Sequence, residues 1–424
     1  RTAFTASIFA VRRFSSSSFF CARASSARRL PAELVSLIFT FFPTDNVLNT
    51  SPAGPWNYSA VCKHWRSIAL SLPSLWKDIY IDFGGKSHLE DVGVQGSMAR
   101  LEAQMEHSAQ APLYIEFSSF SEGDADTLER EYDILDILQR HCSRWETLRM
   151  VGPKVLLDFL DIREKLPLLR AVHLRIFSEG FDEEDVGTLR IFEMCPKLRT
   201  ATVNPGRLGT PSSVFLPSDQ LVRYRASNLM ARHLGTLRLA SSLVDCVLNI
   251  HEDSEPLSPN PHRIQLPCLR RLSVSTDQIL DHLDAPDLQE LYCFDHSATL
   301  HSFLQRLHQL QKLVVTETPA AADIRHLLDA APNVVDLGLY VPMHLAPEFF
   351  ATFTPDSGPR IPSLDSLSVG FIPTLDFHHL PILPDQDLLM RTMESLWDGD
   401  YCRSFNFFCL RFSPSQALSN GWRH

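Results

Sequence analysis

One short pattern recurs ten times in the second and third thirds of the chain. Each copy has an apolar residue, two variable residues, a second apolar residue, one variable residue and a third apolar residue, and most begin after a proline. The first apolar positions are Trp145, Leu169, Leu198, Leu221, Leu243, Leu269, Leu288, Leu310, Val334 and Leu364, separated by 19 to 30 residues. The alternation predicts a short strand in each copy, and the period predicts units that stack to bury one continuous core.

The segments between several copies have the apolar spacing of helices. We predict helices at residues 155–166, 184–195, 298–309 and 321–331. This alternation of strand and helix resembles a leucine-rich-repeat array covering roughly residues 145–412, although the Asn or Cys that normally follows the third apolar position in that family is not regular here. The resemblance implies a mixed α/β fold with an irregular leucine-rich-repeat-like α/β solenoid. A layered α/β domain is the alternative.

The predicted strands also define an exposed face. Side chains alternate between the two faces of a strand, so the residues that flank the second and third apolar positions point away from the predicted core. At these positions lie five arginines and three aromatic residues, namely Arg149, Arg175, Arg223, Arg225, Arg271, Tyr292, Phe294 and Tyr340. We hypothesise that they bind an acidic or phosphorylated protein ligand with an apolar anchor. The alternative is a polar surface without a ligand.

The segment from Leu30 to Phe83 has a different pattern, which predicts a small helical module. Its first helix has apolar residues at the helical spacing i, i+3, i+4 and i+7, namely Leu34, Leu37, Ile38 and Phe41. A second helix has them at Val61, Cys62, Trp65, Ile68 and Ala69, and ends before Pro73. Because about fifty residues can bury only a thin core, we expect part of this apolar surface to bind a partner.

Four motifs in this module resemble the F-box. They are LPAEL at 30–34, IF at 38–39, VCKHWR at 61–66 and LPSLW at 72–76. In that family a three-helix module docks on the Skp-type adaptor of a cullin-RING ubiquitin ligase, and the matching docking positions here are Leu30, Pro31, Leu34, Ile38, Val61, Cys62 and Trp65. The same residues can instead form the core of the module, which is the interpretation we favour for Leu37, Ile68 and Ala69. An insert at 50–55 departs from the tighter turn of shorter family members and leaves the middle helix open.

These features divide the chain into five parts. We predict a disordered Arg/Ser-rich leader at 1–29, the F-box at 30–83, a linker with a capping strand and helix at 84–140, the repeat array at 141–412 and a tail at 413–424. The combination resembles a fungal-type F-box protein. It implies a non-catalytic, substrate-recognition subunit of a Skp/cullin/F-box ubiquitin ligase, whose F-box binds the adaptor and whose array binds an unknown client. The alternative is a repeat scaffold that is not assembled into a ligase.

Composition excludes several other functions. A net charge of −11 argues against nucleic acid as a partner, because phosphate binding requires a concentrated cationic surface. No apolar run has membrane-spanning length. The nine cysteines form no C-x-x-C pair, which argues against disulfides and zinc. No catalytic or phosphate-binding motif occurs, and the histidines at 282, 296, 301 and 308 do not have the spacing of a metal site. We therefore predict no catalytic residue, no cofactor and no metal.

The predicted leader bears on localisation. Residues 1–29 contain six arginines and no acidic residue, a composition similar to that of a mitochondrial presequence. An F-box directly downstream would have little use inside mitochondria. We therefore expect a cytoplasmic and/or nuclear protein, with mitochondrial import as the alternative.

Overall fold

The computed structural model describes residues 30–41, 55–83, 94–120, 125–177, 188–205, 214–251, 263–294, 297–316, 326–327, 329–342, 349, 364–372 and 404–409. The predicted leader and tail lie outside these residues. The chain divides into two compact units. The first comprises Arg1–Tyr80 and Glu90–Ala111, and the second comprises Ile81–Leu89 and Pro112–His424. The predicted segment 84–140 is therefore shared between the two units.

The first unit is helical. Its elements are α1 (Ala32–Phe41), α2 (Pro55–Val61), α3 (Lys63–Leu70), a 3-10 turn at Pro73–Leu75 and α4 (Val94–His107). Three short helices are thus present in the segment that the motifs delimit, and α2 is the middle helix that the sequence left open. The buried core consists of Val35, Phe39, Ile68, Ala69, Leu75 and Trp76. Ile68 and Ala69 are core residues, as predicted.

Trp76 lies at the centre of this core. Its indole nitrogen donates a hydrogen bond of 2.8 Å to the carbonyl oxygen of Ala69, and its ring meets Trp56 edge to face at 5.0 Å. The side chain of Gln104, on α4, donates to the backbone oxygen of Trp76 at 3.3 Å and to that of Asp78 at 2.8 Å. The tryptophan and its backbone thereby connect the end of α3 with α4.

The second unit is built on one long sheet, for which strand order follows chain order. The 13-stranded sheet runs in the order β1-β2-β3-β4-β5-β6-β7-β9-β11-β12-β13-β14-β15. The strands are β1 (Asp78–Asp82), β2 (Leu113–Ser118), β3 (Trp145–Pro153), β4 (Ala171–Phe177), β5 (Thr200–Pro205), β6 (Arg223–Leu229), β7 (Asp245–His251), β8 (Ile264–Gln265), β9 (Arg271–Val274), β10 (Leu283–Asp284), β11 (Glu290–Cys293), β12 (Lys312–Val315), β13 (Asp336–Pro342), β14 (Ser366–Ile372) and β15 (Ser404–Cys409). Every pairing from β2 onward is parallel, and β8 and β10 form a separate parallel pair.

The ten strands predicted from the repeat are confirmed, and they are paired in phase. The second apolar positions are direct neighbours across the sheet, in the order Leu148, Val172, Ala201, Tyr224, Cys246, Leu272, Leu291, Leu313, Leu337 and Leu367. The first apolar positions precede the strands or open them, and each is at most 4% exposed. The repeat therefore places like positions in one continuous apolar layer, as the stacking of similar units requires.

The helices of the second unit are shorter than the sequence predicts. They are α5 (Ala125–Gln139), α6 (Lys154–Phe159), α7 (Met230–Leu237) and α8 (Ala298–Leu304). The helix predicted at 155–166 ends at Phe159, because Leu160 is extended and Glu164 has a left-handed φ of 65°. The helix predicted at 298–309 ends at Leu304. Among the described residues no helix has the length and apolar character needed to cross a bilayer.

The helix predicted at 184–195 is wrong over its described part. Residues 188–195 form turns, and Leu189 makes an isolated bridge with Val214. The apolar spacing that suggested a helix is occupied by Leu189, Phe192 and Cys195, all buried. Cys195 precedes Pro196, a position that disfavours helical backbone. Of the helix predicted at 321–331, residues 326, 327, 329 and 330 are helical.

Candidate functional site

The first helix has an exposed apolar face. Leu34, Leu37 and Phe41 are 48%, 53% and 78% exposed, whereas Val35 and Phe39 are buried in the core. Leu37 was predicted to be a core residue, and this is wrong, because α1 packs through the neighbouring stripe formed by Val35 and Phe39. The sequence analysis missed those two residues as the packing face. Large apolar side chains gathered on the surface of a small unit are typical of an interaction site.

The remaining predicted docking residues fall into two groups. Pro31 and Val61 are exposed, with Val61 at 51%. Leu30, Ile38, Cys62 and Trp65 are half-buried. Leu30 and Trp65 pack against the core of the first unit. The residues are thus divided between the surface of the unit and its interior margin.

Cys62 and Trp65 have roles within the first unit. The sulfur of Cys62 accepts a hydrogen bond of 3.5 Å from the backbone nitrogen of Trp65 and so caps the start of α3. The Trp65 ring meets Phe39 edge to face at 5.3 Å, and its buried indole nitrogen has no hydrogen-bond partner within the described residues. Substitution of Trp65 would therefore disturb the fold as well as any docking surface.

On the second unit, the outward face of the sheet carries a row of alternating charges. In register across β6 to β13 lie Arg223, Asp245, Arg271, Glu290, Lys312 and Asp336. Arg271 donates two hydrogen bonds to Glu290, at 2.9 and 3.0 Å, and lies 3.6 Å from an Asp245 oxygen. Lys312 pairs with Asp336 at 2.6 Å. Most of this row is therefore neutralised internally.

The charges of this row perturb their own titration. Hydrogen bonding to Arg271, with further help from Tyr292 and Lys312, lowers the pKa of Glu290. The hydroxyl of Tyr292 donates to Glu290 at 3.0 Å, and burial together with the Glu290 charge raises the pKa of Tyr292. The same carboxylate raises the pKa of Arg271. Each shift favours the ionised Arg271–Glu290 pair.

This pair makes a prediction about pH. A carboxyl group whose pKa is lower in the folded state than in the unfolded state stabilises the fold above its unfolded value, about 4.3 for Glu, and the contribution is lost as the pH falls through the folded value. We expect Glu290→Gln to destabilise the second unit at pH 7 by at most about 1 kcal/mol, and the difference from wild type to disappear below about pH 4. Denaturant unfolding between pH 3 and 7 measures it. In an Arg271→Gln background the effect of Glu290→Gln should shrink, and an undiminished effect would contradict the assignment.

The next outward row contains a basic region. Glu116, Arg149, His173, Thr202 and Arg225 are neighbours in register from β2 to β6. Arg149 lies 3.6 Å from Glu116, and His173 Nδ1 lies 3.1 Å from the hydroxyl of Thr202. Burial, followed by the charges of Arg149 and Arg225, lowers the pKa of His173. The histidine therefore lies within the electrostatic reach of both arginines.

The predicted ligand-binding residues are in different environments. Arg149 and Arg271 are in the ion pairs described above, Tyr292 contacts Glu290, and Phe294 is half-buried. Arg175, Arg223 and Arg225 are exposed and form no ion pair with any residue that the structure describes. Tyr340 is only 2% exposed, so its predicted place on the exposed face is wrong. Its neighbour on β14 is Gly370, where no side chain holds the tyrosine ring away from the sheet.

A third outward row is polar and links the strands. The side chain of Asn249 donates to the hydroxyl oxygen of Ser227 at 3.1 Å, and that hydroxyl lies 2.9 Å from His251 Nε2. The hydroxyl of Ser275 accepts from the backbone nitrogen of Ile250 at 2.8 Å. Ser227 is 6% exposed, so we interpret its contact with His251 as structural. These Ser and Asn side chains connect neighbouring strands although no regular Asn position was found in the sequence.

Comparison with known proteins covers the first unit. Residues 27–82 match the F-box-like family model. The match includes α1, α2 and α3 and therefore the exposed apolar face. No curated protein matches the chain significantly. The chain thus contains an F-box-like domain, and the repeated strands of the second unit lie beyond the matched residues.

Proposed function

We propose that this chain is the substrate-recognition subunit of a Skp/cullin/F-box ubiquitin ligase. In this proposal the F-box-like domain binds the Skp-type adaptor, and the second unit is a leucine-rich-repeat-like solenoid that binds a client protein. F-box domains generally bind such adaptors and belong to non-catalytic subunits, and the family match at 27–82 supports this role. The observation that carries the proposal is the exposed apolar face of that domain, formed by Leu34, Leu37, Phe41 and Val61.

The energetics of this face favour a partner. Burying one Leu or Val side chain stabilises a complex by about 1.5–3 kcal/mol. Several such side chains exposed on one small unit therefore represent enough apolar area for specific binding, whereas a monomer without a partner rarely leaves them in contact with water. In the proposed complex Pro31, Leu34 and Val61 contact the adaptor directly. Leu30 and Ile38 contribute their exposed portions, and Cys62 and Trp65 hold α3 in position.

The proposed mechanism is proximity. A client held on the second unit is brought near the ubiquitin-charged enzyme of the same assembly, which raises the effective concentration of the two without chemistry in this chain. The outward face of the sheet is the proposed client surface, because its strands are in phase and its Arg175, Arg223 and Arg225 side chains are exposed. Such an assembly would act in the cytoplasm and/or the nucleus.

Reconstitution with purified components tests the proposal. The full chain is co-expressed with a Skp-type adaptor, purified through a tag on the chain and analysed by size-exclusion chromatography with light scattering. We expect a stoichiometric complex that also binds the N-terminal domain of a cullin. A chain that is folded by circular dichroism but elutes without the adaptor would contradict the proposal and favour a repeat scaffold outside any ligase.

A further inference from the structure

We propose that the client segment bound by the second unit is extended and acidic, with carboxylates at alternate residues. It would lie over β5, between Arg175 on β4 and the pair Arg223 and Arg225 on β6. This inference rests on the proposed function of the sheet as the client surface, and it adds the chemistry of the bound segment. It uses charge, spacing and side-chain size on three adjacent strands.

The first argument is the charge balance of these strands. The outward positions of β4, β5 and β6 contain no acidic residue. Arg149 and Arg271, on either side, already have carboxylate partners in Glu116 and Glu290. The three arginines between them have no carboxylate partner among the described residues, and all three are exposed. An anionic ligand would supply that partner, as charge complementarity at an interface requires.

The second argument is the shape of the surface. The outward residues between the arginines are short, namely Ala171, Thr200, Thr202 and Asn204. Neighbouring strands are about 4.8 Å apart, so β4 and β6 are about 10 Å apart. The long arginine side chains therefore border a floor of small residues that is wide enough for one extended chain. An extended segment can lie along this floor without disturbing the hydrogen bonds of the sheet.

The third argument is the spacing of the cations. Arg223 and Arg225 are two residues apart on one strand, about 6.6 Å, which is also the separation of alternate side chains of an extended ligand. Along the first outward row the charges already alternate from Asp336 to Arg223, and the next neighbour of Arg223 is the uncharged Thr200. A ligand carboxylate over Thr200 would continue the alternation. The Arg271–Glu290 pair shows that one arginine of this row holds one carboxylate through two hydrogen bonds.

Synthetic peptides test this inference with the full chain. The probes are fluorescein-labelled nine-residue peptides with four glutamates at alternate positions, with the same four glutamates in one block, and with glutamine in place of glutamate. A fourth peptide carries phosphoserine at two of the alternate positions. Fluorescence anisotropy measures their affinities at low and at physiological ionic strength. We expect the alternating peptide to bind about tenfold more tightly than the block and glutamine peptides, and less tightly as salt rises.

Charge-reversal variants locate the site. Arg223→Glu with Arg225→Glu is expected to weaken the alternating peptide at least about tenfold. Arg238→Glu is the matched control, since Arg238 is an exposed arginine at the end of α7, and it should leave binding unchanged. Arg223→Gln with Arg225→Gln, checked by thermal unfolding, keeps the test valid if the glutamates impair folding. Both positions alternate with the buried Tyr224 and Ala226, so the core is retained.

Several results would overturn the inference. Equal affinity for the block peptide would refute the alternating spacing. A phosphoserine peptide that binds more than about tenfold tighter would make phosphate the ligand group. Absence of binding, or binding that survives both double variants, would refute the site. Failure of the proposed function is distinguishable, because adaptor binding is measured separately: a chain that binds the adaptor but no acidic peptide fails only this inference, and one that does not bind the adaptor fails the proposed function whatever the peptides do.

Discussion

Replacing Leu34 and Val61 together with aspartate is expected to weaken binding of the Skp-type adaptor by at least about a hundredfold. Both side chains are about half exposed in the F-box-like domain. Each would lose about 1.5–3 kcal/mol of apolar burial in the complex, and each new carboxylate would have to be desolvated. Because neither side chain is in the core, the free energy of unfolding should change by no more than about 0.5 kcal/mol per substitution.

The test for this variant is isothermal titration with purified adaptor, together with denaturant unfolding of the free chain. The matched control is Leu239→Asp, which introduces the same charge at a residue of the second unit that is 64% exposed. The control should bind the adaptor as wild type does. If the double variant also binds as wild type does, the exposed face of α1 and α2 is not the docking surface.

Trp76→Ala is expected to produce the largest loss of stability in the first unit, about 3–5 kcal/mol. The ring is fully buried, packs edge to face on Trp56 and donates a hydrogen bond to the carbonyl of Ala69. Its removal leaves a cavity where the end of α3, the 3-10 turn and α4 meet. Hydrogen exchange over residues 55–76 should then show early opening of this unit, and adaptor binding should fall as a consequence.

The conservative variant separates the two contributions of Trp76. Trp76→Phe retains an aromatic ring but loses the hydrogen bond to Ala69, and we expect it to cost about 1–2 kcal/mol, less than the alanine variant. Denaturation followed by circular dichroism and hydrogen exchange measures both. Equal stability of Trp76→Ala and wild type would show that the core of the first unit does not depend on this residue.

The strands of the second unit could be predicted because their signal is local. Alternate burial along four or five residues identifies a strand, and the recurrence of the same three apolar positions identifies which residues share a layer. The in-phase neighbours Leu272, Leu291, Leu313 and Leu337 follow directly from that recurrence. The connecting helices were less predictable, since buried residues at helical spacing, such as Leu189 and Phe192, can be packed equally well by consecutive turns.

The binding surfaces required information that lies outside each segment. Helix α1 has two apolar stripes, one with Leu34 and Leu37 and the other with Val35 and Phe39, and only its contact with α3 decides which one is buried. On the sheet, Arg271 is neutralised by Glu290, a residue 19 positions away in the chain. Such a pairing depends on the register between strands. The sequence therefore indicated the face of the sheet but not which of its arginines remain available.

The coincidence of strand order and chain order has a consequence for how the protein can change. Each strand bonds to strands that are only about one repeat away in the chain, so most contacts of a repeat are with its two neighbours. Insertion or loss of a whole repeat would leave the remaining junctions chemically alike, and it would move every later strand by one position. The length of the outward face could thus vary between descendants of one gene without redesign of the core.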